Sequence, residues 1–580
     1  PLSIRRQRQM CIRDSSATEA SPFGPSSQGW RISEVQDAKA KANAETSNGE
    51  ADETVICHVA ADGFEERMVP FPVPSGSYRD LAVVKDGVVW IEVADRGGEL
   101  GATRAGVTGE APSDVLWHYN LSARHLDKLC ERVDTFSVSG DGERLVVRHR
   151  DDTIVVPSSH KVDDDDPAYI RVDLTRLRRT VNPRAEWRQM FDENGRLMAS
   201  HYWREDMNGV DWDGVLNRYR PLVDLCHVVD DLHDILWETV AELNTSHSYV
   251  SASGAAGDSD MRAGLLGADV SSGNDGAKVV RVIPGESSDP RAWSPLRAAG
   301  VAVTEGDVIV AVDGRKVGAD GNLGELLEGS AGRVVELTVR RGENERQVAV
   351  VPMADEAPLR YHDWVASRRR YVEEHSGGRL GYLHVPDMVS DGWAELHRQI
   401  GEATRHEGVI ADVRFNHGGH TSQLVVERLA RRVVGWDYSR WYATADTYPQ
   451  NAVRGPIVMV TNQWAGSDGD IVAAATQAMG YAKVIGERSW GGVVGIDGRF
   501  DLVDGTSVTQ PRYAGWYGSY GWGVENHGVD PDIVVTVSPE DWEADRDVQL
   551  DAAIAECLRQ LDDKPAATAP ELPGPAFDRC

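Results

Sequence analysis

The chain has 580 residues, which at roughly 100–200 residues per domain implies about three to five domains. With 61 basic against 92 acidic residues its net charge is −31, so nucleic-acid phosphates and anionic membranes are both disfavoured as partners. The 41 % hydrophobic content is enough for large cores, and no apolar run approaches the about 18 residues of a membrane span.

Six cysteines show no CxxC spacing, so neither a zinc knuckle nor a redox pair is expected, and their sparse use suits a cytoplasmic location. The chain opens on Pro1 rather than Met and is expected to be a piece of a longer protein. The basic run 3–15, SIRRQRQMCIRDS, matches nothing around it. It resembles translated adapter sequence; the competing reading is a basic amphipathic arm. Residues 16–50 are Ser-, Ala-, Gly- and Glu-rich without apolar period, so 1–50 reads as a foreign-looking start and a linker.

From 51 to 165 short strands alternate with Gly/Asp turns: TVICHVA (54–60), VVKDGVVWIEV (83–93) and FSVSGDGERLVVRHRDDTIVVP (136–157). Four such strands make one propeller blade, so this stretch predicts two or three blades. A small β-sandwich is the alternative. After the acidic run Asp163–Asp166 the period becomes helical, and 166–255 reads as a helical subdomain with Pro183 and Pro221 near helix starts.

Residues 262–355 return to strands. SPLRAAGV followed by GDVIVAVDG resembles a PDZ domain, a module that binds peptides by strand addition. Strands and helices then alternate over 356–562, predicting an α/β core, and the proline-rich tail 563–580 reads as disordered. The fold class is therefore a multidomain mixture of α+β and all-β parts: a partial β-propeller, a helical subdomain, a PDZ-like β domain and an α/β core.

Four segments carry candidate chemistry. IVMVTNQWAGSDGD (457–470) runs from an apolar strand through a small-residue turn into a helix. Ser467 at such a turn is presented as a nucleophile, with helix N–H groups facing a developing oxyanion; the competing reading is a plain helix cap. Thr245-Ser246-His247 offers a histidine to accept the serine proton. GVENHGVDPD (523–532) places Glu525 in a tight loop, where a carboxylate orients a histidine or is merely exposed. In DVRFNHGGH (412–420) the glycines permit close backbone approach to a ligand. There His417 and His420 leave a metal site as an alternative, and the absence of GxxxxGK[ST] removes a P-loop.

The order of TSH, the PDZ-like module, DVRFN-x-GG, N-x-x-AGSDGD, WGGVVGI (490–496) and GVEN-x-GVDPD resembles the tricorn core protease family. These are serine peptidases related to the C-terminal processing peptidases, and the resemblance covers about residues 50–560. It implies the end of a second propeller over 51–165 and an α/β serine peptidase core. It also implies a Ser/His/Ser/Glu tetrad: Ser467 as nucleophile, His247 as general base, and Ser246 and Glu525 orienting it. Gly419 and Asp468 match the oxyanion-hole positions. Asp437, in GWD, matches the acid that favours a basic residue before the scissile bond. No cofactor or metal is implied. The implied partners are oligopeptide or unfolded-polypeptide substrates and a homo-oligomer, a hexamer by resemblance. His417 and His420 depart from the family's run of glycines and an apolar residue. A catalytically inactive peptide-binding scaffold is the alternative function.

Overall fold

The computed structural model describes residues 11–13, 68–74, 76–94, 113–121, 123–150, 152–252, 261–318, 322–498 and 500–572. They fall in two compact units, one ending at Arg179 and one running on from Thr180.

The first unit is all β. Tyr78–Val84 (β1), Gly87–Glu92 (β2), Val115–Asn120 (β3) and His125–Glu131 (β4) form an antiparallel sheet in chain order. Thr135–Val138 (β5), Arg144–His149 (β6), Asp152–Pro157 (β7) and Ile170–Val172 (β8) form a second sheet of the same kind. Period-2 alternation sets their faces: on β6, Leu145 and Val147 are buried while Val146 between them is exposed. Leu145 and Val147 share one core with Val89, Ile91 and Leu116 of the first sheet. Gly142 joins the sheets by accepting from the Lys85 N–H at 3.0 Å, and a Cβ there would lie 2.9 Å from that nitrogen. Two successive four-stranded meanders are the blade pattern expected. The predicted strand 54–60 lies outside the described residues. Of the run 3–15, Cys11–Arg13 is described and pairs antiparallel with Met68–Pro70.

The second unit opens with three helices, Pro183–His201 (α1), Trp212–Val223 (α2) and Val229–Ala241 (α3), around Met190, Phe191, Met198, Leu232 and Leu236. Pro183 takes the first helical position, as expected. Pro221 does not start a helix; it sits in the last turn of α2. The true start is Asp211, whose carboxylate accepts from the Gly214 N–H at 3.0 Å. The donor that proline lacks falls in a turn that ends two residues later.

Next come Ala268–Gly273 (β9), Gly276–Val282 (β10), Val308–Val312 (β11), Val335–Arg341 (β12) and Asn344–Val350 (β13), an antiparallel sheet in chain order. The short helix Leu323–Leu326 (α4) contributes to its core with Val279, Ile309, Leu337 and Val339.

The last part is the α/β core. Ala357–His375 (α5) precedes Leu380–His384 (β14), then Ser390–Ala403 (α6), Gly408–Asp412 (β15), Ser422–Leu429 (α7) and Ile457–Thr461 (β16). Asp468–Met479 (α8), Ala482–Gly486 (β17), Ile533–Val534 (β18) and Val548–Asp563 (α9) complete it. The sheet is parallel, in the order β14-β15-β16-β17-β18. All residues of β14, β15 and β16 are buried, as befits strands covered on both faces. Val409, Ala411 and Met459 meet α6, α7 and α8 on one face; Ile410, Val458 and Val460 meet α5 and α9 on the other. Each such buried Val, Ile or Met side chain contributes about 1.5–3 kcal/mol.

The carboxyl ends of β15 and β16 therefore lie side by side and open into the loops 413–421 and 462–467, where parallel α/β sheets present their ligand sites. Buried Arg414 anchors the first loop, pairing with Asp412 at 2.7 Å and with Asp547, the cap of α9, at 2.8 Å. The tail read as disordered is pinned where it is described: the Ala567 N–H donates to the Arg454 carbonyl at 2.8 Å.

Candidate active site

The turn after β16 is built by Asn462. Its side-chain oxygen accepts from the Phe415 N–H at 3.0 Å and the Trp464 N–H at 3.2 Å, clamping the two loops together. The chain then reaches Ser467 with φ 58° and ψ −121°, a conformation costly for a non-glycine residue. It turns the half-buried side chain out of the helix, and the hydroxyl makes no capping bond to α8. Gly418 packs directly against it: a Cβ there would lie 2.5 Å from the Ser467 Cβ.

Asn416 shapes the neighbouring loop. Its amide donates to the Val385 carbonyl at 2.8 Å and accepts from the Gly418 N–H at 2.9 Å, while its carbonyl accepts from the Gly466 N–H at 3.0 Å. Met388 donates to the Gly418 carbonyl at 2.7 Å and accepts from the His420 N–H at 2.8 Å. Gly419 between them keeps its own N–H turned away from Met388. Neither that N–H nor the Asp468 N–H, at the first position of α8, has a partner among the described residues. The Asp468 side chain is buried and accepts from the Ser422 N–H at 3.0 Å; burial pushes its carboxyl above the usual range.

His247 arrives from another part of the chain, on the segment after α3. Thr509 holds this segment: its hydroxyl donates to the His247 carbonyl and accepts from the Tyr249 N–H at 2.7 Å. Val250–Ser251 then pairs antiparallel with Ser507–Val508. Glu525 receives four donors: the Ser246 N–H at 2.7 Å, the Ser246 hydroxyl at 3.0 Å, and the Val493 and Val494 N–H groups at 2.8 and 3.0 Å. The Ser246 Oγ also lies 3.0 Å from His247 Nδ1. Its single proton goes to Glu525, so toward His247 the oxygen accepts. His247 is then protonated on Nδ1, and the lone pair is on Nε2. Burial lowers the imidazole pKa, with the Glu525 charge opposing.

The structure thus joins Glu525, Ser246 and His247 in one hydrogen-bond chain, and Ser467 to the Gly418–Gly419 loop. It shows no hydrogen bond between Ser467 and His247. The Trp490 ring touches both sides, edge-on to His247 at 5.4 Å and packed against Gly466. Asp437 is not brought to this cluster. It is exposed on the hairpin of Gly435–Asp437 with Asp446–Tyr448 and has no ion pair among the described residues. His417 and His420 are both exposed, and among the described residues no group of three or more His, Cys, Asp or Glu could hold a metal ion. Sequence reasoning did not single out Asn416, Asn462, Thr509 or Asp470. The first two are amides at loop starts, a recognised turn signal; Thr509 carried none.

Three family models match in order: the tricorn protease C1 domain over 183–241, the tricorn protease PDZ domain over 264–355 and peptidase family S41 over 379–535. Tricorn protease homolog 1 of Streptomyces coelicolor is 53 % identical over 96 % of this chain and 52 % of its own length. Tricorn protease of Thermoplasma acidophilum is 34 % identical over 86 % of this chain and 46 % of its own. The crystal structure of the tricorn protease superposes with a TM-score of 0.79 at 32 % identity, covering 90 % of this chain and 50 % of that one. The chain spans about half the length of these relatives. Domain order, sequence identity and superposition agree: the chain belongs to the tricorn protease family.

Proposed function

We propose that this chain is the hydrolytic part of a tricorn-type serine peptidase, cleaving peptide bonds in oligopeptides or unfolded polypeptides. The Glu525–Ser246–His247 chain carries the reading, because its donor arithmetic leaves a basic Nε2 on a histidine whose pKa is lowered. Ser467 Oγ attacks the scissile carbonyl and its proton passes to Nε2. The oxyanion forms at the Gly419 and Asp468 N–H groups, which have no partner among the described residues. His247 returns the proton to the leaving amine, and a water molecule activated the same way releases the acyl group. Ser246 and Glu525 hold the ring and offset the imidazolium charge. Ser467 and His247 are not hydrogen-bonded in the structure; a nucleophile–base contact of this kind is one that tightens in the Michaelis complex.

The exposed carboxylate of Asp437 serves as the selector for Arg or Lys, presented to the site of another copy in a homo-oligomer, a hexamer by resemblance. We place the protein in the cytoplasm; among the described residues no helix is long and apolar enough to cross a membrane. The test is Ser467→Ala. Hydrolysis and labelling by a fluorophosphonate should both disappear, a loss of roughly 10⁴–10⁶ in turnover. Retained labelling would sink the assignment. Peptide binding without turnover by the unmodified protein would instead favour the inactive scaffold.

A further inference from the structure

Residues 489–494 touch both halves of the site. On the nucleophile side, the Trp490 N–H donates to the Ala465 carbonyl at 2.9 Å, and the ring covers Gly466. On the base side, that ring meets His247, and the Val493 and Val494 N–H groups bind Glu525. The Asn526 N–H donates to the Gly491 carbonyl at 2.7 Å, and the Val529 N–H to Ser489 Oγ at 2.9 Å.

One carboxylate gathers this loop. Asp470, on the first turn of α8, is fully buried. Its oxygens accept from the Ser489 hydroxyl, from the Gly491 N–H at 2.8 Å and from the Gly492 N–H at 3.2 Å. An acid three residues after a helix cap ordinarily reaches back to the cap on an exposed surface. Here it is buried and reaches the loop as well as the Ser467 N–H of the cap, and no cation pairs with it among the described residues. Burial raises its pKa against the pull of these donors and of the Ser467 N–H. A buried carboxylate without a counter-ion is costly, so a structure that retains one uses it to hold something in place.

We propose that Asp470 is a positioning residue for peptide hydrolysis: by fixing the 489–494 loop it seats Trp490 on His247 and aims the Val493 and Val494 N–H groups at Glu525. This rests on the hydrolytic reading of Ser467 and His247 and adds a residue to it. The groups facing His247 are Ser246, Tyr249, Trp490 and Thr509, and the charge acting on it is Glu525. Asp470 does not act on the imidazole directly, so its removal reaches His247 only through the loop.

The experiment is Asp470→Asn in the full chain. An amide cannot accept on its nitrogen, so at least one loop donor is lost. Turnover per titrated active site should fall roughly 10–100-fold with KM changed less than about threefold, by analogy with other orienting residues. The acid limb of kcat/KM should move up toward the ordinary histidine value of about 6.5, because a loosened Trp490 lets water reach the ring. Trp490→Ala should reproduce that shift with Asp470 intact. Should Asp470→Asn fail to fold, Ser489→Ala, which removes one donor and keeps the carboxylate, should show the same shift in smaller measure. Activity falling only in proportion to the folded fraction, with an unmoved pH limb, would overturn the proposal. His247 titration by NMR in a Ser467→Ala background reads the loop's effect without catalysis. An unlabelled Ser467 in the folded parent would therefore fail the hydrolytic reading alone, and an unshifted His247 would fail this one.

Discussion

The two halves of the site are built in opposite ways. The half around Ser467, the proposed nucleophile, is local: two loops at the carboxyl ends of neighbouring strands, clamped by Asn416 and Asn462 and shaped by glycines. The half around His247, the proposed base, is assembled at long range, with Ser246 meeting Glu525 across 279 positions and the His247 carbonyl meeting Thr509 across 262. Local construction supports a strained turn, since the parallel sheet beneath it is rigid and buried. Long-range construction leaves the tautomer and tilt of the imidazole to many small contacts. Mutations should therefore act differently in the two halves: abruptly in the first, by degrees in the second.

The largest effect after loss of Ser467 is expected at Glu525. Glu525→Gln removes the negative charge and one of the two oxygens that accept from four donors, and should lower kcat roughly 10²–10⁴-fold with little change in KM, read by steady-state kinetics. A variant with normal kcat would mean the base half does not need its acid. Next comes stability of the nucleophile half. Asp547→Ala strips a partner from buried Arg414 and should cost about 3–5 kcal/mol in denaturant unfolding. A change below about 1 kcal/mol would show that the loop is not anchored there.

The pH dependence tests the base half itself. A base must be neutral, and burial lowers the His247 pKa. Hydrolysis should thus rise with pH through a midpoint below about 6.5 and persist at neutrality. A midpoint above that value would contradict a buried, water-poor imidazole. The smallest effect belongs to Asp437, which lies outside both halves. Asp437→Asn should weaken the preference for Arg or Lys substrates by roughly 10–100-fold and leave other substrates alone. An unchanged profile across a substrate panel would remove Asp437 from selection.

Much of this contrast was legible in the sequence. The strand, small-residue turn and helix around Ser467 are contiguous, so their periodicities announce the elbow. The β15 and β16 runs read as fully buried strands because both faces are apolar. The meander strands Val115–Asn120 and His125–Glu131 were not anticipated: charged and polar residues interrupt their alternation, and pairing of β3 with β2 and of β4 with β3 supplies what propensity does not. Pro221 misled because a proline alone does not mark a helix start: here it lies in the last turn of α2 and the helix forgoes one N–H bond, to the Asn217 carbonyl, two residues before it ends. Ser246, His247 and Glu525 could be proposed as types of residue, but no spacing in the chain shows which histidine meets which acid. The same holds for Asp470, whose partners lie about twenty residues on, across a strand.

The most direct test of the central claim is the rate at which a fluorophosphonate labels Ser467, mapped by mass spectrometry in the parent chain and in His247→Ala. If His247 is the base that activates Ser467, the parent should label at Ser467 and the variant should react at least about a hundredfold more slowly. Equal rates, or labelling at another residue, would contradict the account.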